Sequence, residues 1–338
     1  MRLTSAFLVS LVVSAFASDA AAFCRTTTCP PPADFTPTAA QCVPPGLTSC
    51  TMNGDTVASV LLWWKSTCVG YSVQKDASKY ASLSDATTAA AGAFAAWSSA
   101  SCPGAPSIKG QDLGPVTCGD TAFNVDGPNQ NVIVFRDSGW PHKTAEQIRL
   151  NQASPTVALT TVSFNRDTGE ILDADIELNT ADHKITVTET PGTGVFDLES
   201  VLTHEGGHFI GLAHSPDATS VMYFQDEGGS AKHRALAADD ASAVCTVYPP
   251  AGPRPVDTSV SASGFAAAGG CDATPRGGLS SICAANTPPT PTKSGCAVSP
   301  GSVGGLGGET ASRGVGVGLG LGLGLVVAAS CRRRRRAA

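Results

Sequence analysis

The central part of this chain is predicted to be an α+β domain built on a mixed sheet, on three observations. Apolar residues at Ala86, Ala90, Phe94 and Trp97 recur at helical spacing through residues 85–98. Residues 172–179 alternate strictly, with Leu172, Ala174, Ile176 and Leu178 on one side and Asp173, Asp175, Glu177 and Asn179 on the other, which is the period of a strand with one buried face. Strand and helix signals then follow in the order strand, helix, strands, helix, helix, not the regular alternation of a doubly wound fold.

Taken in order, residues 23–55 hold Cys24, Cys29, Cys42 and Cys50 among prolines and show little periodicity, so they read as a disulfide-tied extension. The domain begins near residue 56. Val69 to Val73 is a short strand, residues 85–98 the first helix and Asn131 to Phe135 a second strand. Thr144 with Gln147 three residues on forms a capping box for a short helix. Val157 to Phe164 is rich in β-formers and is closed by the turn-forming run from Asn165 to Gly169, after which the alternating strand begins. That strand is expected to turn its acids to solvent. Asp197 caps a helix over about 198–212, and a last helix spans about 239–247. Residues 251–313, rich in Pro, Gly, Ser, Ala and Thr, read as a linker stapled locally by Cys271 and Cys283.

Composition narrows the function. The 338 residues carry a formal charge of −6 with only 15% charged side chains, which does not suit a general binder of nucleic-acid phosphates. Residues 1–22 have a basic start at Arg2, an apolar run from Ala6 to Phe16 and small residues at 20–22, the pattern of a signal peptide. At the other end, residues 314–330 form an uncharged Gly/Leu/Val/Ala run followed by Cys331 and the arginines 332–336. This reads as a marginal membrane segment held by a positive stop, and it resembles the tripartite sorting tails of the MYXO-CTERM type, although Cys296 lies far upstream of the apolar run. The tail is therefore expected to engage membrane or sorting machinery. Ten further cysteines suit five disulfides in an oxidising compartment, and Cys68, Cys102, Cys118 and Cys245 allow three pairings in the central region. The expected location is secreted and associated with the cell surface.

The chemistry lies in residues 203–215, THEGGHFIGLAHS, which contain His204, Glu205, His208, Gly211 and His214 as HExxHxxGxxH. Two histidines four apart on a helix project from one face and can share one metal. Glu205 follows the first of them and can take a proton from water at the metal's open position. Gly211 can adopt the positive φ that ends the helix and swings His214 back as a third ligand. Three of the six histidines fall in this one window, which core histidines scattered through a fold do not explain. One catalytic Zn2+ is the cofactor these residues fit.

With the residues after it, this segment resembles the matrixin (matrix metalloprotease) family of the metzincin zinc proteases. Val221-Met222-Tyr223 is similar to the family's Met-turn, whose methionine underlies the zinc ligands. Residues 236–248 resemble its last helix, whose paired acids brace that turn, a role the resemblance gives to Asp239 and Asp240. The resemblance spans about 56–250. It implies a metzincin-type α+β protease domain with a mixed twisted sheet, an active-site helix and a Met-turn. It also implies hydrolysis of peptide bonds in protein substrates that pair antiparallel to the edge strand at 157–164. Structural Ca2+ is implied too, with Asp167, Glu170, Asp173, Asp175 and Glu177 as its candidates, though the alternation favours a solvated face.

The chain departs from the family in four ways. Phe224 stands where matrixins have Pro, Gly206 and Gly207 cost the helix about 1 kcal/mol each against Ala, and no PRCGxPD switch precedes the domain. Nor is a second zinc set expected, because only His183 lies before the active-site helix, and His142, His183 and His233 read as exposed beside lysine or arginine. Cys29 or Cys42, otherwise expected in disulfides, would be the thiol to ligate zinc in a latent form. The alternative to a protease is a latent or inactive surface-anchored homologue that holds zinc and binds protein without cutting it. Substrate preference and oligomeric state are not encoded in these motifs.

Overall fold

The computed structural model describes residues 23–29, 49–52, 55–117, 119, 121–125, 127–250 and 273–279, together with short strands at 253–254, 257–261, 296–297 and 322–330. The expected signal peptide, Cys42, Cys118, the Cys271–Cys283 staple and the arginine cluster lie outside the described residues.

The core sheet is mixed, as predicted. Strand β1 (Cys24–Arg25) precedes it in the chain; the sheet itself contains β2 (Cys68–Val73), β3 (Lys109–Asp112), β4 (Val132–Phe135), β5 (Thr156–Asn165) and β6 (Ile171–Leu178) in the spatial order β5-β6-β4-β2-β3. Only β5 and β6 pair antiparallel, through the predicted hairpin; β6, β4, β2 and β3 are mutually parallel. A parallel pair β7 (Lys184–Thr186) and β8 (Val195–Asp197) then leads into the central helix. Past the free edge of β5, residues 322–330 form a strand parallel to it, so this part of the apolar tail is extended and not helical. Alternating Gly and Leu is a poor helix former, which accounts for the difference.

Helix α1 (Leu83–Ser98) begins at Ser82, whose hydroxyl accepts from the Asp85 amide, and buries Ala86, Ala89, Ala90, Ala93, Phe94 and Trp97. That face of small residues lets it pack closely on α3 (Leu198–Phe209), which lies across the inner side of the sheet. The short α2 (Ala145–Arg149) carries the predicted Thr144–Gln147 capping box and buries none of its residues. After α3 come the short strand β9 (Leu212–Ala213) and the Met-turn, and α4 (Ala238–Val247) closes the domain, tied by a Cys102–Cys245 disulfide to the segment after α1. That is one of the three pairings the sequence left open; Cys29 is bonded to Cys50, and Cys24 and Cys68 are also in disulfides.

Three expectations are corrected here. The acids of β6 are not solvated: Asp173, Asp175, Glu177 and Asn179 are all at most 2% exposed. The outer face of the sheet is covered around Val116, which packs with Val132 and Val134, and by residues 273–279, which dock through the Asn129 amide on the Gly278 carbonyl. Part of the stretch read as linker is thus packed on the domain. Likewise residues 23–28 are buried, with β1 pairing antiparallel to β9, so the N-terminal stretch begins inside the folded unit.

Candidate active site

Asp197 starts the site. Its carboxylate, 1% exposed, accepts from the Ser200 amide at 2.9 Å and so caps α3 as predicted. Arg234, from the 3-10 turn Lys232–Arg234, forks onto the same carboxylate at 2.9 and 2.6 Å, a partner that sequence reasoning did not find. At the other end the helix stops at Phe209, and Gly211 has φ +90°, the turn expected of it. The last carbonyls of the helix are met by side chains far off in sequence. Trp64 Nε1 donates to Phe209 O at 2.7 Å and the Tyr248 hydroxyl to Ile210 O at 2.8 Å. Thr26 closes the next two, its amide donating to Gly211 O and its hydroxyl to Leu212 O.

Within this frame the predicted ligands converge. His204 Nε2 and His208 Nε2 are 3.2 Å apart, as are His208 Nε2 and His214 Nε2, and the three ligand atoms lie within 4.8 Å of one another. The opposite nitrogens face carbonyls: His204 Nδ1 is 2.6 Å from Val221 O and His208 Nδ1 is 2.9 Å from Leu212 O. Each such bond holds the proton on Nδ1 and turns the Nε2 lone pair inward, the outer arrangement a metal-binding histidine needs. Burial, with the neighbouring rings adding to it, holds His204 and His208 well below the usual imidazole range, so both are neutral and able to ligate. The donor set of three imidazoles fits zinc. Among the described residues this is the only such cluster, and His142, His183 and His233 take no part. Two of these are not exposed as expected: His183 is buried with Nε2 2.8 Å from Ser154 O, and His233 is buried beside Asp226. His142, partly exposed, pairs with Glu177, which Arg136 also grips.

Glu205 is fully buried, and burial pushes its carboxyl up to about 8 against the opposing bond from Thr160. Oε2 accepts from the Thr160 hydroxyl at 2.5 Å, while Oε1 has no protein partner. Thr160 was not singled out from the sequence; the available signal was a hydroxyl in the inward row of a strand.

Met222, 2% exposed, packs against α3 at Gly207, and Gly206 and Gly207 together make room for it and for Trp97. A Cβ on Gly207 would fall on Met222 Sδ and lie 2.8 Å from Trp97 Cζ2; one on Gly206 would lie 3.2 Å from Trp97 Nε1. That indole donates to Thr203 O at 2.8 Å. The helix therefore carries glycines because α1 and the turn press against it there. Asp240 accepts from Val221 N at 2.8 Å, Ala237 N at 2.8 Å and the Ser220 hydroxyl at 2.5 Å, and Asp239 accepts from the Ser215 hydroxyl at 2.7 Å. Phe224 stands beside Tyr223, with its ring 6.4 Å from that of His214. Cys29, bonded to Cys50, has no free thiol to offer a metal.

Comparison with known proteins agrees with this geometry. Residues 133–249 match the matrixin family model. A stretch of 37 residues is 57% identical to Metalloendoproteinase 1 of Glycine max, covering 11% of this chain and 12% of that protein. A stretch of 77 residues is 38% identical to Metalloendoproteinase 5-MMP of Arabidopsis thaliana, covering 23% of this chain and 21% of that protein. The chain thus spans only 12% and 21% of the length of these relatives.

Proposed function

We propose that this chain, matrixin-like over residues 133–249, is an exported zinc-dependent endopeptidase that cleaves extracellular proteins, with His204, His208 and His214 as zinc ligands and Glu205 as general base. The observation that carries the reading is the convergence of three Nε2 atoms, with the residue after the first of these histidines a buried carboxylate whose second oxygen is unengaged. A purely structural site has no use for that carboxylate.

When bound, zinc supplies the Lewis acidity that makes water a nucleophile near neutral pH and polarises the scissile carbonyl. The rest falls to the chain. Val221 O and Leu212 O hold the first two imidazoles in the ligating tautomer. Glu205 Oε1 takes the proton of the attacking water and delivers it to the leaving amine, at a depth where bulk water does not compete. Asp239 and Asp240 brace the Met-turn through Ser215, Ser220 and Val221. Residues 157–164, within β5, receive the substrate as an antiparallel strand. Of the acids named as calcium candidates, Asp175 accepts from Val132 N and Glu177 is engaged by Arg136 and His142.

One observation favours a second reading, a latent form: residues 322–330 pair with the same edge of β5 that a substrate would take. The deciding experiment is mass-spectrometric mapping of cuts in a diverse peptide mixture, with the purified chain and a form ending at 296, each with and without a zinc chelator. Chelator-sensitive cuts by either support the protease. Cuts by the shortened form alone support latency, and silence from both zinc-loaded proteins refutes the activity. Glu205→Gln is expected to keep its zinc and lose turnover.

A further inference from the structure

We propose that Thr160 is a positioning residue for Glu205: its hydroxyl pins one carboxylate oxygen, so that the other alone faces the reacting water. The inference rests on the endopeptidase reading and adds to it a residue outside the HExxHxxGxxH segment.

The geometry is specific. Thr160 belongs to the inward row of β5, between Ala158 and Val162, and all three are fully buried. In that apolar row it is a polar exception, and an unbonded buried hydroxyl would be costly. Its Oγ1 lies 2.5 Å from Glu205 Oε2 and 3.2 Å from Glu205 O. A hydroxyl has one proton to give, and the shorter contact, to the carboxyl oxygen, is the stronger.

A free carboxylate turns about a broad, roughly two-fold terminal torsion and presents either oxygen. Here the two ends differ: Oε2 is held, and Oε1 is buried without a protein partner. Because the anchor sits on the strand expected to receive substrate, the same element that aligns the scissile bond also aligns the base, which is where small misplacements cost most.

The test compares Thr160→Val, which keeps the shape and removes the hydroxyl, with Thr160→Ser, which keeps the hydroxyl and removes the methyl. Thr160→Ala is a second hydroxyl-free variant should Val fail to fold. On the zinc-loaded chain, Thr160→Val is expected to lower kcat about tenfold with KM and zinc content unchanged, and Thr160→Ser to regain most of the rate. A second readout needs no activity. In the metal-free chain, the infrared carboxyl band assigned to Glu205 by difference against Glu205→Gln should shift in Thr160→Val and return in Thr160→Ser.

Wild-type kcat and an unmoved band in Thr160→Val would overturn the proposal, as would a serine variant that behaves like the valine one. A wild-type chain that cleaves nothing sinks the endopeptidase reading instead, and the band comparison still decides whether Thr160 holds Glu205.

Discussion

At Gly207 the needs of one residue and of its neighbours pull in opposite directions. Helix propensity favours Ala there by about 1 kcal/mol, yet a Cβ would collide with Met222 Sδ and press on Trp97. Gly207→Ala is therefore expected to destabilise by about 1–3 kcal/mol. Gly206→Ala, whose nearest neighbour would be Trp97 Nε1 at 3.2 Å, should be close to neutral. Thermal melts of the two variants check this, and equal melting temperatures would refute it. Asp240→Ala removes the acceptor for Val221 N, Ala237 N and the Ser220 hydroxyl, and should cost about 2–4 kcal/mol and weaken zinc retention. The three clustered histidines, Glu205, Gly211 and Met222 stand out in the sequence because each is marked by residue type and short spacing. Thr160 and Arg234 were not, since a hydroxyl 45 positions before Glu205 and a guanidinium 37 positions after Asp197 gain meaning only when helix and strand cross.

Among the elements, β6 shows both the reach and the limit of pattern reading. Its alternation correctly marked a strand with Ala174, Ile176 and Leu178 inward, but the opposite face is buried by chain far off in sequence, which no local period can report. Burial drives the Asp173 carboxyl up to about 7, and burial with the neighbouring Asp173 raises Asp175 as well, so the pair holds a proton between them. Because the folded value exceeds the usual carboxylate one, the stability this gives is full below about pH 4 and lost as pH rises toward 7. Relative to wild type, Asp173→Asn should gain stability across that interval, as read by urea midpoints; a constant difference would exclude the shared proton. The first strand makes a separate prediction. β1 pairs with β9, directly between Gly211 and His214, so a chain lacking residues 23–28 should release zinc to a chelator at least about tenfold faster. Equal release rates would show that β9 holds its own position.

For the whole molecule, sequence alone indicated the α+β class and the segment whose three histidines converge, because periodicity and motif spacing survive without coordinates. It did not show that both ends of the domain return to the active-site helix. The Cys102–Cys245 disulfide encloses a loop with a sequence separation of 143 and, in the chain-entropy model, contributes up to about 5 kcal/mol. Replacing both cysteines by Ala should lower the melting temperature well beyond any surface substitution, which calorimetry would register. The bond from the Thr26 hydroxyl to Leu212 O, separated by 186 residues, has a different consequence, one of timing. Contacts of such long range form late and slowly, so a chain emerging in order from its N-terminus holds no assembled site until residues 212–248 have followed.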